Sequence, residues 1–478
     1  MRDAMKKTTM TEPSDKGTAG VNTLFGDPKK AIIKLAIPMM VAMSVQTIYN
    51  IVDAFWVAGL GADALAAMGF VFPFFFVILS LSNGLGIGGG AAISRKIGAK
   101  DKAGADNVAV HTIVMMVLLA VGFSVPFFFF AKDIFALMGA SETTGLAVAY
   151  ARIIFAGSII IFFVNVASAI LRSEGDAKRA MYVMVLGAGL NIVLDPIFIY
   201  TLDMGIAGAA WATLVSFGVS SVLLSNWLFF RNDTYVAFKF SGFRFDYSVV
   251  RDICRVGLPA SVQQLSMAIT TLIMTVLIVM VSNTDGVAVY SVGWRIATIA
   301  IAPLIGIATA VVTVTGAAFG KRSFENVQIS HTYATKIGLI IEVIIAAATF
   351  IFAPHVAAIF THAEGAAHIA PDLTTFLRII SIFYPTVSLG MLSSSMFQGV
   401  GRGTDALIVT LLRTLVLTPI FAVLFAFTLG MGLTGIWWGL VAGNILGSVV
   451  AFVWARLYVC RLVTNCFTKN RVKPPAQD

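Results

Sequence analysis

Apolar residues gather into twelve long stretches divided by short polar breaks. The first six run near residues 32–56, 65–94, 108–131, 147–171, 180–202 and 206–230. The second six run near 256–281, 287–318, 333–353, 373–397, 406–428 and 433–459. A helix needs about 20 apolar residues to cross a bilayer core, so each stretch suffices for one crossing. The pattern predicts an all-α polytopic membrane protein with twelve transmembrane helices and no folded soluble domain between them. Ahead of the first stretch lies a polar tail, residues 1–30, without the apolar core of a signal peptide. It carries one expected amphipathic stretch near Asn22 to Lys34.

Basic residues test this count. The N-terminal region, the connections after helices 2, 4, 6, 8 and 10, and the C-terminal end together hold twenty-seven Lys and Arg; the six alternate connections hold one, Lys132. A missed helix would scramble that alternation. By the positive-inside rule both termini are expected in the cytoplasm.

The composition agrees. Of 478 residues, 58% are apolar and only 12% charged, about half the charge typical of a globular chain. The net charge of +9 sits in short clusters between apolar stretches, where it meets lipid headgroups and not nucleic acid. Cys254, Cys460 and Cys466 have neither disulfide nor zinc spacing. His355, His362 and His368 fall near one another in an expected loop, a weak metal signal.

The chain repeats at half length. Lys34-Leu-Ala-Ile-Pro38 recurs as Arg255-Val-Gly-Leu-Pro259, and Ile97-Gly98-Ala99-Lys100 as Phe319-Gly320-Lys321-Arg322. Leu194-Asp195-Pro196-Ile197-Phe198 recurs as Leu417-Thr418-Pro419-Ile420-Phe421. Six helices per half is an even number, so the halves are parallel repeats about an axis along the membrane normal. The expected organisation is an N-lobe at 31–230, a cytoplasmic linker at 231–255, a C-lobe at 256–460 and a cytoplasmic tail at 461–478. Two such lobes suit alternating access around a central cavity.

Ionisable groups inside a membrane are costly, so each is a functional candidate. In helix 1, Gln46, Asn50 and Asp53 share a face, with Tyr49 one turn before Asp53. In helix 5, Asn191 and Asp195 are four apart and Pro196 follows; helix 6 offers Thr213, Ser216 and Ser220. A proline there can kink the helix and free carbonyls. These oxygens suit Na⁺, and the same buried carboxylates could carry protons instead. Hydroxyls and amides also serve simply to hold helices together. Asp53 and Asp195 have no Lys or Arg one turn away, and their counterparts in the second half are Met274 and Thr418. The acidic pair therefore belongs to the first lobe alone. Glu342, mid-helix in the second lobe, is a candidate second protonation site. Arg295 is a candidate for pairing with a carboxylate or lining the cavity; Arg152, Arg378 and Arg413 could snorkel or meet anionic substrate groups.

Taken in order, Gln46-Thr-Ile-Tyr-Asn-Ile-Val-Asp53, Leu171-Arg-Ser-Glu-Gly-Asp176, Gly189-Leu-Asn-Ile-Val-Leu-Asp-Pro196, Gly205-Ile-Ala-Gly-Ala-Ala-Trp-Ala-Thr213 and Gln398-Gly-Val-Gly-Arg-Gly403 resemble the multidrug and toxic compound extrusion family. The resemblance covers residues 30 to about 460 and looks like the DinF-like branch. It implies export of amphipathic, often cationic compounds in exchange for H⁺ or Na⁺, with no cofactor. It also implies a coupling site at Asp53, Asn191, Asp195 and Thr213, and a substrate cleft touched by Gln46, Tyr150, Asn165 and Met184; Tyr49 and Asn50 join that cleft by their position in helix 1. Helix 1 is expected to repack near Pro38 as the ion binds. By the same resemblance the protein is expected in a prokaryotic cytoplasmic (inner) membrane, multi-pass and surrounded by lipid; its two covalently joined lobes suit a functional monomer. The alternative is a flippase for lipids or lipid-linked precursors, a related lobe plan that usually carries a more cationic cavity. A membrane enzyme lacks its motifs here, and a passive channel does not account for a one-sided acidic pair.

Overall fold

The computed structural model describes residues 18–139, 143–231, 233–239, 243–361 and 367–471, and its described elements are helical. A short α1 (Ala19–Phe25) precedes the first lobe. That lobe comprises α2 (Pro28–Ala58), α3 (Ala62–Gly98), α4 (Lys102–Leu137), the pair α5 (Thr144–Ala156) and α6 (Ser158–Ser173), α7 (Ala177–Pro196) and α8 (Gly205–Ser225). The second lobe comprises α9 (Tyr247–Val281), α10 (Thr284–Gly320), α11 (Phe324–Phe360), the pair α12 (Ala370–Ser381) and α13 (Tyr384–Gly399), the run α14 (Gly403–Leu411) to α15 (Thr418–Val423), and α16 (Gly432–Arg471). Among the described residues ten helices are long and apolar enough to cross a membrane, and the pairs α5–α6 and α12–α13 pass the same test together, which makes twelve when each bent pair counts as one span. Large apolar side chains such as Leu118, Phe129, Val222, Ile344 and Ile351 stand exposed along the outside, as a bilayer solvent allows.

Polar residues punctuate the helices. Asp27 caps α2, accepting from the Lys29 N–H at 2.9 Å with Pro28 in the first turn. Asp101, Asp176 and Asp246 cap α4, α7 and α9 in the same way. Each supplies an acceptor to a donor that the helix itself leaves unsatisfied.

The repeat reaches backbone detail. Lys100 after α3 and Arg322 after α10 both adopt a φ of 58°. The Lys100 N–H donates to Ile97 O and the Arg322 N–H to Phe319 O, each at 2.9 Å. Gly175 and Gly401 share φ values of 84° and 85°, and the bends in the two paired spans are 47° and 51°. The lobes meet reciprocally, α3 on α9 and α10 on α2. At the end carrying the basic connections, a Cβ on Gly98 would lie 1.9 Å from Ala317 O, and one on Gly320 1.9 Å from Arg95 O. Only glycine lets the backbones approach so closely. Arg95 then latches across the lobes, donating to both oxygens of Asp252 at 2.9 Å and to Gly399 O at 3.3 Å.

Several boundaries differ from the sequence expectation. The stretch Asn22 to Lys34 is not one amphipathic helix: α1 ends before Gly26, and α2 restarts at Pro28 under its Asp27 cap and continues into the span. The expected linker to Arg255 ends earlier, because Asp246 caps α9 and residues 247–255 are helical. The tail from 461 begins as the last turns of α16, which runs to Arg471. Pro38 lies inside an uninterrupted α2. Pro196 does change its helix: α7 passes into a π-helical turn, Ile197–Thr201, as expected where a backbone donor is missing.

The remaining linker is strapped to the first lobe by side chains that hold its backbone. Glu174 accepts from the N–H groups of Tyr235 and Val236 at 2.8 and 3.0 Å, and Asp106 from Ala237 at 2.8 Å. His111 Nδ1 lies 2.8 Å from Asn107 O, so its Nε2 is left to accept the Asp246 N–H at 2.9 Å. Burial pushes the Glu174 carboxyl up to about 8, against the pull of its two backbone donors.

Candidate functional site

The outer part of α2 carries Tyr49 and Asp53 toward the end of α7, where Asn191 and Asp195 lie on one face. Helix α8 closes the other side with Thr213. Asp195, Asn191 and Thr213 are buried, at 0%, 2% and 4% exposure. The Asp53 and Asp195 carboxyls face each other within reach of a shared hydrogen bond. The Asn191 amide fits one orientation, with its NH₂ donating to Asp195 Oδ2 at 2.8 Å and its oxygen accepting from the Thr213 N–H at 3.2 Å. The reverse orientation keeps a 3.3 Å contact to Thr213 Oγ1 but faces the amide oxygen toward acceptors. Tyr49 and Tyr150 both lie within electrostatic range of the two acids. Asp195 Oδ1 is buried without a hydrogen-bond partner.

That orphaned oxygen decides what the cluster can do chemically. Two carboxylates in contact cannot both be ionised in a low-dielectric setting without a counter-charge. Either a proton lies between them or a small cation joins their oxygens. The surroundings supply hydroxyl and amide oxygens, a donor set compatible with both. Two aromatic contacts anchor the frame: the Tyr200 hydroxyl donates to Trp56 O at 2.6 Å and their rings pack edge to face. This brace ties the end of α7 to the end of α2. The sequence reading missed it; a tyrosine five residues beyond Asp195 was its available signal.

The other substrate-side candidates spread out. Gln46 Nε2 reaches Asn50 Oδ1 at 3.5 Å, and Asn50 is exposed. Asn165 donates to Ile161 O of its own helix at 2.9 Å, and Met184 is half-buried against the core. Ser216 back-bonds to Ala212 O within α8, whereas Ser220 reaches Val183 O of α7, so neither hydroxyl is bonded to the acids. Arg295 is exposed. Arg152 and Arg378 lie over the rings of Phe128 and Phe350, whereas Arg413 is buried beside Gly390 and Gly447 and does not snorkel. His368 pairs with Asp285 at 3.1 Å; His362 lies outside the described residues. Among the described residues no three His, Cys, Asp or Glu stand together as a metal cluster.

Glu342 is completely buried in the second lobe, and neither of its oxygens has a hydrogen-bond partner. Tyr384, whose hydroxyl is likewise buried and unpartnered, lies within electrostatic range.

A duplicated twelve-span bundle with this cluster in one lobe matches the MatE family model over residues 38–197 and 259–424, more than half of the chain. The chain belongs to the MatE family. Its curated relatives include the multidrug export protein MepA of Staphylococcus aureus, 26% identical over 91% of this chain and 95% of that protein. Among solved structures, an outward-facing multidrug resistance MATE family transporter of the MOP superfamily is 47% identical. It superimposes with a TM-score of 0.92 over 94% of this chain and 100% of its own. A MOP superfamily transporter from Pyrococcus furiosus, whose description gives its binding pocket a reversed polarity, is also 47% identical with a TM-score of 0.91 over 94% and 99%. These relatives are transporters, and the MatE chain described here is a multi-pass membrane transporter and not an enzyme.

Proposed function

We propose that the protein exports amphipathic, often cationic small molecules by antiport with H⁺ or Na⁺, using the Asp53–Asp195 pair as its coupling site. The observation that carries this reading is the pairing of two acids in one lobe, with a buried Asp195 oxygen that no protein group satisfies. Asn191 and Thr213 orient the pair. Tyr49 and Tyr150 stand beside the pair, and Gln46, Asn50, Asn165 and Met184, spread further through the lobe, are the remaining candidates for contact with substrate. The repeat plan favours alternating access by rocking of the lobes, and a covalently joined pair of lobes can do this as a monomer. The basic end is cytoplasmic, the membrane is the cytoplasmic membrane of a prokaryote, and the one-sided acid pair supports the DinF-like branch.

Coupling follows if drug and ion discriminate between conformations and exclude each other. An ion at Asp53 removes the negative charge that holds a cationic drug, and a repacking of α2 near Pro38 would weaken the drug site further. Glu342 serves as a second protonation site in the opposite lobe: a carboxyl buried without partners persists in its neutral form. The flippase alternative draws no support from relatives described as multidrug exporters.

The test is dye export by the full-length protein in liposomes under separately imposed pH and Na⁺ gradients. Wild type should move a cationic dye uphill with one gradient at least, Asp53→Asn with neither. Wild-type rates in Asp53→Asn under the same gradient would sink the coupling assignment.

A further inference from the structure

At the basic end of the molecule, a cavity of about 440 Å³ opens between the start of α2, the first turns of α11 and the last part of α16. Three cations line it from three helices: Lys29, Lys336 and Arg456. Arg456 donates to Thr332 Oγ1 at 2.8 Å, and the Lys29 ammonium lies 5.8 Å from the centre of the Tyr333 ring. Glu325 lies at the same cavity as its one acid. Among the described residues none of the three cations is within ion-pair distance of a carboxylate. Unneutralised positive charge gathered in a concave site calls for an anion.

What lies beyond the cavity narrows the choice of anion. One and two turns further along α2 the same face presents Ile33 and Ile37; on α11 it presents Ile340 and Ile344, and on α16 Val453 and Val449. All six are exposed. The cations thus sit at the head of an outward-facing apolar strip. Free phosphate would use only the cations. A phospholipid would use both, laying its acyl chains on the strip and its phosphate among Lys29, Lys336 and Arg456.

We infer that this cavity binds the phosphate headgroup of an anionic phospholipid from the leaflet at the basic end. Lys29 belongs to the first lobe and Lys336 and Arg456 to the second, so the complete site exists only while those ends of the lobes stand together. It lies apart from the acid pair and does not depend on the coupling assignment.

The experiment is titration of the full-length protein in detergent with dihexanoyl-phosphatidylglycerol, dihexanoyl-phosphatidylcholine or inorganic phosphate, with bound lipid counted by native mass spectrometry. Wild type should bind the glycerol lipid in preference to the choline lipid. Lys29→Gln with Lys336→Gln, both exposed positions, should weaken it about thirtyfold, at the worth of one cation each near an anionic headgroup. The control pair Lys100→Gln with Lys178→Gln, on the same end, should bind as wild type. Equal loss in the control, equal binding of both lipids, no lipid bound, or phosphate binding as tightly as the lipid would each overturn the assignment.

Discussion

The two lobes share a backbone plan down to the φ angles of their turns, yet they handle buried charge differently. In the first lobe Asp53 and Asp195 face each other, Asn191 donates to Asp195 from one turn earlier on α7, and Thr213 of α8 holds the Asn191 amide. At the equivalent places the second lobe has Met274, fully buried, and Thr418, whose hydroxyl turns back to Arg413 O of its own helix at 2.8 Å. The second lobe instead buries a solitary acid, Glu342; applying the 222-residue offset of the preceding turns puts Ala120 at its place in the first. Duplication supplied the scaffold twice, and the polar chemistry then diverged. A pair in contact responds to an ion and to a cationic drug. A lone acid without a counter-charge can respond only to a proton.

The strongest way to break the contrast is to move the acids. Asp53→Asn or Asp195→Asn should lower gradient-driven export at least tenfold. Adding Met274→Asp or Thr418→Asp to those variants should not restore it, because no counterpart of the Asn191–Asp195 contact awaits in the second lobe. Restoration would mean that the scaffold, and not the cluster, confers coupling.

Next in size is the orienting amide. Asn191→Ala removes a donor to a buried carboxyl, a loss of about 2 kcal/mol or roughly thirtyfold in ion affinity. Thr414→Ala, at the matching position of the second lobe, should leave that affinity unchanged. Both follow from ion-dependent competition for a bound fluorescent drug.

The solitary acid gives a smaller effect on the fold. If Glu342 is already uncharged, Glu342→Gln substitutes a neutral near-isostere, and the unfolding midpoint in detergent should shift by the equivalent of about 1 kcal/mol or less. A collapse of stability would show that its charge is needed.

The smallest effect concerns the linker. Glu174 grips the backbone at Tyr235 and Val236, while the matching turn of the second lobe has Val400, at the 226-residue offset of Gly175 and Gly401. Its folded value of about 8 lies above the usual 4.5. Protonated Glu174 therefore favours the folded state, an advantage complete below about 4.5 and lost as pH rises through 8. Relative to Glu174→Gln, which keeps a neutral side chain at every pH, the melting point of wild type should fall between pH 5 and about 8 and level off above it. A constant difference across that range would contradict this role.

Much of this molecule was legible before its structure. Twelve apolar stretches and the lopsided distribution of Lys and Arg sufficed for the spans, since a bilayer penalises any other arrangement of unpaired backbone. The spacing of Asn191 and Asp195 put them on one face, and the one-sidedness of the acids appeared on aligning the halves. The contact between Asp53 and Asp195 was beyond that reach, because periodicity fixes faces within a helix and not the pairing of helices in space. Asn191 was legible as a polar neighbour but not as the donor to Asp195. Arg95 counted only as a topogenic charge, yet it latches the lobes through Asp252, a contact between residues 157 positions apart. Glu174 stood in a recognisable motif, but its partners are backbone groups of the linker, which carry no side-chain signature. Ser216 and Ser220 looked like candidate ligands, but Ser216 turns back on α8 and Ser220 reaches across to α7, and hydroxyls at helical spacing look the same in sequence whichever of these they do.

Competition between drug and coupling ion at the acid pair is what antiport by this protein requires. It is tested most directly by adding a cationic substrate to purified protein in weakly buffered detergent solution and recording proton release, first without Na⁺ and then with Na⁺ present. Wild type should release a proton as the drug binds, or bind the drug more weakly as Na⁺ rises; Asp53→Asn should do neither. Drug binding by wild type with no proton released and no sensitivity to Na⁺ would contradict the account.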